Sequence, residues 1–124
     1  MAMRLIAALV LATIGAGILG WAATVLGWRR WLDLDDAAPG PEQPPLVLGG
    51  PFGFVRHPQT LGLLFLLAAA ACRWPRPGLW VVALTAAVVI VFLAVADDNR
   101  LAERFGEAYA RYRRAVPFLV PLLW

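Results

Sequence analysis

The run LIAALVLATIGAGILGWAATVLGW, from Leu5 to Trp28, holds no charged residue over 24 positions. At about 1.5 Å per residue a helix of that length reaches about 36 Å, more than the roughly 30 Å of a hydrocarbon core. Inside lipid the backbone has to satisfy its own polar groups, which leaves helix as the only conformation open to such a segment. A cleavable secretory core stops after about 7 to 15 apolar residues, so the run reads as a membrane span rather than a leader. Composition agrees: 61% of the 124 residues are hydrophobic and the mean hydropathy is +0.71, well above an ordinary soluble domain. A chain of this length has room for one domain.

Two further apolar runs follow. Gln59 to Cys72 is short for a span unless Arg73 and Trp74 extend it by snorkelling and interfacial anchoring, whereas Leu79 to Ala96 is close to a full crossing. Only RWPRPG separates them, and Pro75, Pro77 and Gly78 forbid helix through it, so the two form an antiparallel hairpin. The fold class expected is all-α: a single membrane domain over 1–124, with about three transmembrane helices at about 5–28, 58–74 and 79–96, a loop at 29–57 and an amphipathic tail at 97–124. Small residues in GAGILG, between Gly15 and Gly20, would let a second helix approach closely.

Every basic residue is Arg. The arginines flank apolar runs instead of forming a stripe on a polar fold, which argues against nucleic acid as a partner and for the lipid bilayer. Eight of them (Arg29, Arg30, Arg56, Arg100, Arg104, Arg111, Arg113 and Arg114) fall on the side of the first loop and the C-terminus, against Arg4, Arg73 and Arg76 on the other. The imbalance puts the C-terminus in the cytoplasm and the N-terminus outside. Cys72 stands alone, so no internal disulfide can form and it reads as a packed side chain. The acids of DLDDAAPGPEQPP match no calcium-loop spacing, so that segment reads as a solvated linker and no metal site is expected.

The only histidine lies in VRHP. Proline suits the first helical position and pushes the preceding residue into an extended conformation, so His57 becomes the N-cap of the second helix with Arg56 just outside it. Unpaired N–H groups there favour an anion, and the Arg56 guanidinium can grip a carboxylate with two hydrogen bonds. The hairpin returns the third span to the same level at Asp97 and Asp98, two negative charges at a helix end whose dipole disfavours them there unless the helix continues. A ligand carrying both a carboxylate and cationic groups would satisfy both halves; residues pairing among themselves at a membrane edge is the competing explanation of the same spacing. Beyond them Leu101, Phe105, Ala108, Tyr109, Tyr112 and Val116 recur at helical intervals, opposite Arg100, Glu103, Arg104, Glu107, Arg111 and Arg114. An amphipathic helix folding back over the site is expected, broken at Pro117 and Pro121 and returning to the interface at Trp124.

GGPFGFVRHPQTLGLL, followed by DDNRLAERFGEAYARYRRAVPFLVP, resembles the prokaryotic relatives of the isoprenylcysteine carboxyl methyltransferases and phospholipid N-methyltransferases. Gly50, Pro51, Phe52, Val55, Arg56, His57, Pro58 and Gly62, then Leu101, Phe105, Gly106, Tyr109, Tyr112, Val116 and Pro117, fill matching positions in order. The resemblance implies an integral membrane methyltransferase, located in the bacterial inner membrane, that binds S-adenosylmethionine at the cytoplasmic end of its helices without a Rossmann fold. It implies a catalytic role for His57 and Arg56, and cofactor binding by Arg56, His57, Pro58, Asp97, Asp98, Tyr109 and Tyr112. Thr60 stands where the family has tyrosine, Asp97 and Asp98 replace a glutamate pair, and Phe118 stands where a basic residue is common. The acceptor expected is lipophilic or membrane-delivered: a carboxylate, amine or thiol. Three helices offer few walls, so a homodimer completing the pocket is an expectation too. The alternative is a non-catalytic membrane interaction or assembly protein that keeps the fold and has lost the cofactor.

Overall fold

The computed structural model describes residues 1–27 and 48–119. Among these residues all regular structure is helical: α1 (Ala2–Leu26), a 3₁₀ turn (Gly50–Gly53), α2 (Pro58–Arg73), α3 (Pro77–Phe105) and α4 (Glu107–Ala115). The linker acids, Arg29, Arg30 and the Trp124 end lie outside the described residues. Two helices, α1 and α3, are long and apolar enough to cross a membrane. Their apolar stretches are only 17% and 11% buried, so they are not the core helices of a soluble protein. Leu9, Val10 and Ile14 of α1 and Val81, Val88, Phe92 and Leu93 of α3 face outward, as lipid-facing side chains must. With 16 residues, α2 reaches only about 24 Å.

α1 packs antiparallel along α2, and α2 packs more lightly on α3. The α1–α2 crossing is set by two glycines: a Cβ on Gly62 would lie 2.8 Å from Leu19 Cγ and 3.0 Å from the Gly15 carbonyl, and one on Gly15 would lie 2.8 Å from the Gly62 carbonyl. Of the small-residue stretch in α1, Gly15 therefore makes the close approach, whereas Gly17 and Gly20 meet nothing within 4 Å.

The sequence boundary at Asp97 is corrected by the structure. α3 does not end at the paired acids but continues to Phe105, because NRLAERF after them holds good helix formers and neither Gly nor Pro. The break comes instead at Gly106, with φ +54 and ψ −124, a backbone conformation that side-chain-bearing residues avoid. The single amphipathic tail helix is thus two pieces: the last turns of α3, and α4 folded back upon them. Tyr109, Tyr112 and Val116 form the buried cluster between these pieces, with Leu101, Ala102 and Phe105 packed against it.

Candidate active site

His57 caps α2 as expected, and Pro58 is fully buried in the first turn. Arg56 and His57 are held from the C-terminal side. The Arg56 amide donates to the Pro117 carbonyl at 2.9 Å and the His57 amide to that of Phe118 at 3.3 Å. Phe118, the residue that stands where a basic one is common, puts its ring 4.9 Å from the His57 ring and 5.4 Å from the Arg56 guanidinium. It supplies an apolar and cation–π wall in place of a charge.

Because α3 stays helical through its two acids, neighbouring side chains point about 100° apart, and the pair is split. The Asp98 side chain is 3% exposed and that of Asp97 57%. Both oxygens of Asp98 are occupied. Arg56 Nη1 donates to Oδ1 at 3.0 Å and to Oδ2 at 2.8 Å, the Tyr109 hydroxyl donates to Oδ1 at 2.6 Å, and His57 Nε2 lies 3.1 Å from Oδ1. Arg113 Nε, from α4, lies 3.1 Å from Oδ2. A carboxylate offers about four lone-pair sites, so these donors saturate it. Asp98 is the hub joining the start of α2, the end of α3 and α4, not a carboxylate waiting for a cation.

The remaining predicted residues divide in the same way. Tyr112 donates to the Phe52 carbonyl at 2.7 Å, tying α4 to the 3₁₀ turn, and the two tyrosine rings meet edge-on at 5.5 Å. Burial pushes Tyr112 up to about 12 and, with the hydrogen bond to Asp98, holds Tyr109 higher still; both stay protonated donors. Thr60 is buried in α2. Asp97, by contrast, keeps its carboxylate at the surface 4.0 Å from His57 Nδ1. Arg113 was not among the residues singled out from the sequence. It sits on the face of α4 bearing Tyr109 and Tyr112, and only knowing that Asp98 points inward reveals it.

Two charge features define what the cluster can accept. Burial pulls His57 below the ordinary imidazole value in spite of the two nearby carboxylates, so it is neutral near pH 7, and the inward carboxylate of Asp98 then faces two guanidinium groups. Arg56 is 5% exposed, yet its Nε is a buried donor with no acceptor among the described residues. An unmet buried donor costs about 1–3 kcal/mol, more on a charged group. The arrangement fits an anion entering beside Arg56.

An all-helical membrane protein with a buried Arg–His–Asp–Tyr cluster at one end of its helices is the class that fold and site define. The phospholipid methyltransferase family matches residues 3–108, and the chain belongs to that family of membrane methyltransferases, which generally use S-adenosylmethionine. Comparison with curated proteins and with solved structures gives no match.

Proposed function

We propose that this chain transfers a methyl group from S-adenosylmethionine to a lipophilic or membrane-delivered acceptor at the cytoplasmic end of its helices. The observation that carries the reading is the unmet Arg56 Nε donor beside a carboxylate already shared by two guanidinium groups: an amino-acid carboxylate supplies the missing acceptor. Arg56 and the start of α2 hold that carboxylate, and Asp97, rather than the saturated Asp98, provides negative charge for the ammonium end. When bound, S-adenosylmethionine supplies a sulfonium-activated methyl group.

The protein's own share is chiefly positioning and exclusion of water. A carboxylate or thiolate acceptor needs no base. For an amine acceptor, His57 directs Nε2–H at Asp98, which leaves Nδ1 as its basic atom, and the nearby Asp97 carboxylate stabilises the imidazolium formed when Nδ1 takes the proton.

Calorimetric titration of the purified protein with S-adenosylhomocysteine tests this. Wild type should bind with micromolar affinity, and the His57→Ala/Asp97→Asn double variant should lose that binding. No heat of binding in wild type, in detergent and in lipid nanodiscs alike, would favour the non-catalytic alternative.

A further inference from the structure

At the opposite end of the helices from the Asp98 cluster, a cleft of about 460 Å³ opens between the start of α1 and the α2–α3 turn. It is lined by Met1, Arg4, Leu5, Arg73, Trp74 and Arg76, with Pro75 between the last two. Three separate pieces of chain each bring one guanidinium: α1, the end of α2, and the turn leading into α3. Among the described residues none of the three has a carboxylate partner; Arg73 has only the face of Trp74, 5.5 Å away. The described acids, Asp97, Asp98, Glu103 and Glu107, all lie beyond the apolar part of α3, about 30 Å off along that helix. That distance is far beyond ion-pair contact, so none of them pairs with the cleft arginines.

We infer that this cleft binds the phosphate-bearing headgroup of an anionic phospholipid, in the leaflet opposite the candidate active site. Guanidinium groups match phosphate oxygens in geometry as well as in charge. The volume, near the lower end for small-molecule sites, suits one headgroup and not an extended polyanion. A lipid is favoured over a soluble phosphate by what surrounds the arginines. Trp74 is 54% exposed and Leu5 45%, so an indole and an apolar flank stand where the headgroup region passes into acyl chains, the usual seat of interfacial tryptophan. The proposal is independent of the methyl-transfer reading, since no residue is shared between the two ends.

The test is lipid retention followed by native mass spectrometry. Protein is released from nanodiscs containing equal phosphatidylglycerol and phosphatidylcholine, for wild type, for Arg4→Gln/Arg76→Gln, and for the charge-matched Arg100→Gln/Arg111→Gln. Wild type should retain phosphatidylglycerol selectively. The cleft variant should retain it about 30-fold less, from a little over about fivefold for each of the two arginines near a membrane surface, while the charge-matched variant keeps the wild-type ratio. Equal loss in both variants, or no selectivity in wild type, overturns the site. A thermal-shift arm in detergent compares inorganic phosphate with short-chain phosphatidylglycerol. Stabilisation by the lipid alone supports the proposal, and equal stabilisation by millimolar phosphate overturns the lipid assignment. Wild-type selectivity and the thermal-shift arm need no mutant, so both remain decisive if the double variant fails to fold.

Discussion

Replacing Asp98 by Asn changes almost nothing in shape and removes the one negative charge that faces Arg56 in the interior. If the asparagine oxygen takes the Oδ1 position, Arg56, His57 and Tyr109 keep an acceptor, and the new amide group points at Arg56 Nη1 and Arg113 Nε, which lie 2.8 and 3.1 Å from Oδ2 in wild type. Arg113, with its side chain 47% exposed, can turn to water. Arg56, 3% exposed at the side chain, cannot, and is left as a buried charge without a counterion. Breaking a buried pair from one side costs about 3–5 kcal/mol, a large part of the roughly 5–15 kcal/mol that holds a folded protein together. Reversible unfolding in dodecyl sulfate, followed by circular dichroism, reads the loss. The Arg56→Met/Asp98→Asn double variant should recover much of it, with a coupling of about 2–3 kcal/mol. A loss under about 1 kcal/mol for Asp98→Asn, or simple additivity in the double variant, would refute the claim that Asp98 exists to neutralise Arg56.

Three other outcomes follow from the same geometry. His57 binds its proton less readily in the folded protein than its ordinary value of 6.5, so the unfolded chain takes up the proton first and stability falls as pH drops from about 6.5 towards the folded value; thermal midpoints between pH 8 and 5.5 should fall less in His57→Gln, and parallel curves would count against the assignment. Gly106→Ala, at φ +54, should cost about 1–3 kcal/mol and weaken S-adenosylhomocysteine binding, because α4 carries Tyr109 and Arg113 to Asp98. Gly62→Ala should lower stability by about 1–3 kcal/mol through overpacking against Leu19 and Gly15, while Gly17→Ala, with open space around its added methyl group, should hold or raise stability by up to about 1 kcal/mol in the same unfolding titration.

Much of this arrangement is legible in the sequence where single residues constrain the backbone. Pro58 fixes the start of α2 and makes His57 its cap, and the break at residues 74–76 returns α3 to the level of His57, although Pro77 and Gly78, expected to block helix, instead form its first turn. Less legible is anything that depends on how far a helix continues. Reading DD as a helix end makes Asp97 and Asp98 equivalent; only continuation to Phe105 gives them separate directions and so separate roles. Arg113 is hidden for the same reason, since its partner is defined by that rotation. The seat of Phe118 on His57 depends on backbone pairing between segments far apart in the chain, which local spacing does not encode.

The saturation of Asp98 also bears on how the protein is assembled. Arg56 leaves the ribosome 42 residues ahead of the carboxylate it pairs with, and the last donor to that carboxylate, Arg113, comes later still. Until α3 has emerged as far as Asp98, that end of the bundle holds a guanidinium with no carboxylate to pair with. A chain stopping before α4 would still pair Arg56 with Asp98, but would leave that carboxylate without the Tyr109 and Arg113 donors. The pair therefore forms in two stages, charge first between α2 and α3, and full saturation of the carboxylate only when α4 folds back past Gly106.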